Sequence, residues 1–329
     1  MRWPWKRLNS NGRLVVSWAG QTLAYVHTRL GADGFHEVLK FGTEQQGLDS
    51  TKNFVRRLQA LGLTGLDACV MLRPEQYQFL QIDAPAVPPE ELHSAVRYQI
   101  RDLLKISVND VALDVMRVGD GLQQKGAPQL FVVATANTVV QEVLAISEAM
   151  NWNVAVIDVQ ETAQRNLQSA LAWQDGGADR TNAALVLAAG HPALLTISAR
   201  QELFYTRRIA LPEDFFLAPL GRDDDADFSS MLDSSAGDDD KMQRFVLEVQ
   251  RSLDLWSRSW VGMPLDEVRV YAGERSADLS TWFGEQLGLA VLSMDFSSLF
   301  PGFEGGTERD QGLCLPLLGV LMRTKNRQR

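Results

Sequence analysis

The residues that could do chemistry are few, and most sit in the wrong pattern to do it. Four histidines, His27, His36, His93 and His191, include no HExxH pair of the kind that places two imidazoles on one helical face for zinc. His191 stands beside Pro192 and reads as a solvated turn residue. No Gly-x-Ser-x-Gly run offers a nucleophile elbow, and neither dinucleotide-binding nor P-loop glycine spacing occurs. Carboxylates crowd one stretch: residues 221–240 hold Asp223, Asp224, Asp225, Asp227, Asp233, Asp238, Asp239 and Asp240 against Arg222 alone. A calcium-binding EF-hand loop would need glycine at its sixth position and glutamate at its twelfth, and no register supplies both. Asp, Ser and Gly dominate the stretch, so it is expected to be a mobile acidic loop. Cys69 and Cys314 lie in the apolar contexts LDACVML and GLCLPLL, where buried, reduced thiols are expected. Glu248 and Arg251 are i,i+3 neighbours, spaced for an ordinary pair on a helix surface.

The chain around these residues has 329 residues, 45% of them hydrophobic and 22% charged, which is enough to bury a large core and to form two lobes. No apolar run approaches the roughly 20 residues of a membrane-spanning helix, and no signal-peptide core follows Met1, so a cytoplasmic location is expected. The eight acids and one arginine of 221–240 sum to −7 of the total −9, leaving about −2 for everything else. The acidity is thus local, and no basic, aromatic-rich face suggests nucleic acid. At the N-terminus, Arg2, Lys6 and Arg7 accompany Trp3 and Trp5; Arg323, Lys325, Arg327 and Arg329 cluster at the other end. Such residues would suit an anionic lipid surface, but solvated terminal charge is the preferred reading.

The stretch FVVATANTVVQEVLAISEAMNWNVAVIDVQETAQRNL, residues 131–167, organises the chain as strand, helix, strand, helix. Its strands are Leu130–Ala134 and Val154–Ile157, and Val139–Met150 carries apolar residues on one helical face. Asp158, with Glu161 three residues on, reads as a helix N-cap after a buried strand, or else as a neighbour of a bound ligand. Upstream, three strands form a meander, Arg13–Trp18, Thr22–Arg29 and Phe35–Phe41, with turns at Ala19–Gln21 and Gly31–Gly34. A helix at Thr51–Leu61 and a strand at Ala68–Leu72 follow. Pro85, Pro88 and Pro89 mark a new unit with a helix at Glu90–Leu104 and a strand at Val111–Val118; a turn at Gly119–Pro128 closes it. Beyond a joint at Gly176–Asp179 the meander repeats as Ala183–Ala189, Ala193–Ala199 and Glu202–Ile209. A helix at Lys241–Trp260, a strand at Glu267–Tyr271, a helix at Ala277–Leu287 and a strand at Ala290–Met294 complete it. Two such halves imply an internally duplicated α/β protein.

Residues 72–115, LRPEQYQFLQIDAPAVPPEELHSAVRYQIRDLLKISVNDVALDV, resemble the corresponding segment of the PilM family of type IV pilus assembly proteins. So do VVATANTVVQEVLAISEAMNWNVAVIDVQETA, FYTRRIALP, LEVQRSLDLW and GLCLPLLGVLMR; the relative MshI, of mannose-sensitive haemagglutinin pilus biogenesis, is similar and the closer match. The resemblance implies a duplicated actin-like (RNase H-like) two-lobed α/β fold. Its first lobe would span residues 10–175, with a subdomain inserted at about 80–150, and its second 181–329. It implies a cytoplasmic adaptor, peripheral at the inner membrane, that binds the N-terminal tail of a PilN-like bitopic protein in a groove between the meander and the inserted subdomain. The pilus assembly ATPase is a further implied partner. The cytoplasmic part of an L-type type II secretion component is an alternative of the same fold.

The resemblance also implies where a nucleotide would bind. The family places an Asp-x-Gly turn in the first hairpin of each lobe, where glycine admits phosphate and aspartate holds Mg²⁺, and a Gly-Gly pair beside the adenosine. Here the first hairpin reads Val16-Ser17-Trp18-Ala19-Gly20, the second Leu187-Ala188-Ala189-Gly190-His191, and the adenosine position Tyr271-Ala272-Gly273-Glu274. Ser17, Gly20, Gly190, Gly273 and Glu274 are therefore degenerate nucleotide positions, while the family's helix motif survives as Glu248, Arg251 and Asp254. The expectation is a protein with no catalytic residues, no metal and no cofactor, Mg-ATP being disfavoured; an ATP-hydrolysing relative of the same machinery is the alternative.

Overall fold

A computed structural model describes residues 12–31, 36–119, 127–217 and 235–323. The chain begins with an antiparallel meander: β1 (Arg13–Ala19), β2 (Thr22–Leu30) and β3 (His36–Gln45). Ala19 pairs with Thr22, so Gly20 and Gln21 make a two-residue turn. Gly20 takes φ +58° with open space beside its Cα, so the turn needs its backbone freedom rather than its small size. In α1 (Thr51–Ala60), Ser50 caps the start by accepting from the Asn53 amide, and Phe54, Val55 and Leu58 are buried along one face. Next, β4 (Asp67–Leu72) runs parallel to β1.

A second, smaller sheet follows. It contains β5 (Tyr77–Asp83), β6 (Val111–Arg117) and β7 (Gln129–Ala136) in the order β5-β7-β6, all antiparallel. Before β6 comes α2 (Leu92–Gln99), whose Val96, with Ile100, packs on Ile82, Leu130 and Val132 in a core of its own. The chain then returns to the first sheet through α3 (Asn137–Ala149) and β8 (Asn153–Val159), giving the strand order β3-β2-β1-β4-β8. Val143 and Ile146 of α3 join Phe54, Val55, Val16 and Val70 in one hydrophobic cluster.

α4 (Gln160–Gln174) leads to β9 (Asn182–Val186), β10 (Ala193–Ala199) and β11 (Glu202–Ile209), then α5 (Ser235–Ser259), β12 (Glu267–Tyr271), α6 (Ser276–Leu287) and β13 (Val291–Ser293). This sheet is ordered β11-β10-β9-β12-β13, the same order as the first when each is counted along its own segment. The duplication expected from sequence is present. Gln164 and Gln168 fix α4 to this sheet by donating to the carbonyls of Ala184, Leu194 and Asn182. The last element, α7 (Glu308–Leu321), packs on β1 to β4 of the first sheet. Thr307 and Asp310 form its capping box, and Asp310 also accepts from the Thr43 hydroxyl at 2.7 Å.

The described chain divides into two compact units, residues 12–119, 127–163 and 297–323 in one and 164–217 and 235–296 in the other. The expected spans 10–175 and 181–329 divide elsewhere: the change of unit falls inside α4, the Gly176–Asp179 joint belongs to the second unit, and the C-terminal helix belongs to the first. Within the stretch expected as an inserted subdomain, about 80–150, the small sheet runs from Tyr77 to Ala136, and Val143 and Ile146 of α3 join the first sheet's core. The helix expected over Glu90–Leu104 stops at Gln99 and continues as turns; the Gln78 side chain takes up the Leu103 carbonyl and the Lys105 amide. Residues 32–34 of the turn expected at Gly31–Gly34, most of Gly119–Pro128, residues 1–8 and 324–329, and residues 221–234 of the acidic loop lie outside the described residues. From Ser235 the chain is already helical, which shortens the expected loop.

Candidate functional site

The first unit holds a cavity of about 360 Å³ at the turn end of β1. Its floor is sheet, from Val16, Leu23 and Val70, and its walls are α1 (Thr51, Val55) and α3 (Glu142, Val143, Ala145, Ile146, Ala149). Local sequence makes it concave. α3 offers alanine at 145 and 149 where a larger residue would fill the space, and α1 begins with Thr51 at the rim. Two indoles bound it, Trp18 and Trp152. The Trp18 ring lies against Phe54 with centroids 5.6 Å apart, and its Nε1 donates to the Gly20 carbonyl at 3.1 Å. Trp152 is buried and donates to the Leu63 carbonyl.

The short 3₁₀ turn at Pro74–Gln76 ties this end of the hairpin down. The Gln76 amide donates to the Trp18 carbonyl at 2.9 Å and accepts from the Arg73 amide at 2.9 Å. Arg73 donates to the Thr22 carbonyl at 3.0 Å and to the Ser17 hydroxyl at 3.2 Å. The hairpin is therefore held by fixed polar contacts while the concavity beside it stays apolar. Such a surface can take an apolar side chain out of water.

The sequence-derived nucleotide positions are distributed as follows. Ser17 is buried and engaged by Arg73, and Gly20 lines the cavity. Gly190 and Gly273 belong to the second unit, in the turns that leave the adjacent parallel strands β9 and β12. Ser276 closes the second turn, accepting from the Ala272 amide and donating to the Gly273 carbonyl, and Glu274 is exposed. None of these turns carries an aspartate. Asp158 does not cap α4 as expected. It is buried at the end of β8, accepting from the Val159 amide and the Thr162 hydroxyl and pairing with Arg323 at 3.2 Å. Glu161, expected to complete the capping box, is buried and accepts from the Tyr77 hydroxyl. The Glu248–Arg251 pair forms at 2.7 Å, and Arg207 of β11 joins Glu248 from the sheet. The charge-assisted bond from Arg251, together with Arg207, holds the Glu248 carboxyl below its usual range. Among the described residues no group of three His, Cys, Asp or Glu could hold a metal ion, and no helix is long and apolar enough to cross a membrane.

Sequence reading misses the cavity wall formed by α3. The signal is present as the paired alanines on the face that also carries Val143 and Ile146, but periodicity does not tell a filled face from a hollow one.

Two five-stranded sheets of identical order, each opening with a meander, define the actin-like ATPase fold. A solved PilM–PilN type IV pilus biogenesis complex is similar over 95% of this chain and 99% of that one, at 16% identity and TM-score 0.64. A Bacteroides thetaiotaomicron protein with actin-like ATPase fold and unknown function is similar over 96% and 97%, at 8% identity and TM-score 0.51. The cytoplasmic domain of EpsL, an inner membrane component of the Vibrio cholerae type II secretion system, covers 95% and 96% at 13% identity and TM-score 0.46. No protein-family profile and no curated protein matches the sequence.

Proposed function

We propose that this chain is a non-catalytic adaptor of a type IV pilus-class machine, related to MshI, that docks the cytoplasmic tail of a PilN-like inner-membrane protein and so sits peripherally at the membrane. The observation that carries the reading is the apolar cavity at the β1 turn, in a fold whose likeness extends along a PilM–PilN complex. An extended tail gains backbone hydrogen bonds and buries alternate side chains, and a cavity of this size suits one such side chain. The test is fluorescence anisotropy of a labelled PilN-type tail peptide with the full chain. Wild type binds it, and Ala145→Trp, which fills the cavity from an exposed helix position, abolishes binding. A peptide that binds both proteins equally overturns the assignment of the cavity.

The same reading gives the chain no ATPase activity. A metal-bound triphosphate needs carboxylates beside glycine turns, and the Gly20, Gly190 and Gly273 turns offer none directed by an Asp-x-Gly sequence; Asp158 is occupied by Arg323 and Thr162. Isothermal titration with Mg-ATP is expected to give no micromolar binding, and heat of that order refutes it.

A further inference from the structure

We infer that the segment seated in the cavity carries its buried apolar side chain within two positions of a lysine or arginine, and that Glu142 is the group that recognises the cation. This rests on the reading of the cavity as a tail-docking site. The cavity is lined by apolar atoms of both helices, two indoles and the sheet, and Glu142 is its single charged residue. Of the other polar side chains nearby, Gln76 is bonded on both sides of its amide, the Ser17 hydroxyl takes the Arg73 bond, and Thr51 at the rim is neutral and gives no charge to compete with Glu142.

Glu142 has no hydrogen-bond or ion-pair partner among the described residues, and its own helix cannot provide one. α3 reads NTVVQEVLAISEA, without a basic residue, so positions three and four away on either side hold only Val139, Thr138, Ala145 and Ile146. The cations of the facing helix, Lys52, Arg56 and Arg57, are not among the lining residues, and Arg57 is taken by the Gln45 carbonyl and Asp49. An exposed acid on the lip of a hydrophobic hollow favours a ligand that is apolar at the centre and positive beside it. An acidic segment would meet repulsion there. In an extended segment, side chains two apart point the same way, about 7 Å apart, which a lysine stem can span.

The experiment uses the full chain, with the indole N–H signals of Trp18 and Trp152 followed by NMR. The probes are three synthetic peptides, Ser-Lys-Ser-Leu-Ser-Lys-Ser, Ser-Glu-Ser-Leu-Ser-Glu-Ser, and the lysine peptide with serine in place of leucine. The expected result is that the lysine–leucine peptide binds about two- to fivefold more tightly than its glutamate counterpart, the size of a partly exposed ion pair. Glu142→Lys should invert that order, and loss of leucine should abolish binding. Both leucine peptides binding alike in wild type and Glu142→Lys, with Ala145→Trp still blocking them, overturns the inference but leaves the docking reading standing. No shift of either indole by any peptide also overturns the inference; the docking reading is then decided separately by the PilN-type tail.

Discussion

Gly319 lies in the last turn of α7, and a methyl group added there would stand 2.1 Å from the Ala163 carbonyl oxygen and 2.6 Å from its carbon. Ordinary contact begins at 3.4 Å, so the backbones of α7 and α4 would have to part locally by the difference, 1.3 Å. The obstacle is backbone, which cannot swing aside as a side chain can. On an isolated helix Gly→Ala stabilises by about 1 kcal/mol. Here that gain opposes an overpacking cost which, against rigid backbone, falls in the upper part of the usual range, about 2–3 kcal/mol, so Gly319→Ala should lose roughly 1–2 kcal/mol net. Gly312 provides the internal control. It lies on the same helix, where an added methyl would have nothing within 4 Å, so Gly312→Ala should be neutral or stabilising by up to about 1 kcal/mol. Denaturant titration followed by far-UV circular dichroism should place Gly319→Ala below wild type and Gly312→Ala at or above it. A Gly319→Ala protein as stable as Gly312→Ala would refute the close approach of the two helices.

Burial drives the Cys314 thiol up to about 12, and that of Cys69 upward too, so neither should react with a disulfide reagent at about pH 8 until the protein unfolds; native-state labelling would contradict this. Burial, aided by Arg13, holds His36 below the usual 6.5, so the unfolded chain takes up its proton first as pH falls. Stability should therefore drop as pH falls through about 6.5 and below, and His36→Gln should drop less; equal slopes would exclude His36 as a source. In the β10–β11 hairpin Arg200 and Gln201 sit at φ +51° and +66°, so replacing them by Asn-Gly should raise stability by about 1 kcal/mol, with an unchanged melting temperature as the adverse result.

Much of the fold is legible because short apolar runs bounded by turn residues survive in the strands: β10, β11 and β12 match their expected spans, and β1, β2 and β4 differ by a residue. Where a tertiary contact outweighs local preference, legibility fails. The apolar spacing of Ile100, Leu103 and Leu104 continues the α2 pattern, yet Gln78 captures the backbone there and the helix ends. α7 escapes the pattern, since Pro316 inside its apolar run argues against a helix, although Thr307 and Asp310 signal one. β5 escapes it too, because Tyr77–Asp83 alternates weakly and its pairing with β7 spans a long loop. Gly20, Gly190, Gly273 and Glu274 fall in the turns that follow β1, β9 and β12, and Ser17 falls within β1. Glu142 cannot be singled out, because an unpaired acid on a helix looks the same in sequence whether or not a hollow adjoins it.

The order in which the chain is synthesised bears on α7. The strands of the first sheet precede the second sheet in the chain, but the helix that shields them, with Cys314, Leu315, Leu317 and Leu318 fully or nearly fully buried, is made only after both sheets. Until the ribosome has delivered it, the nascent amino-terminal half keeps one greasy face uncovered, a natural target for chaperones. A transcript truncated ahead of residue 297 would make that exposure permanent.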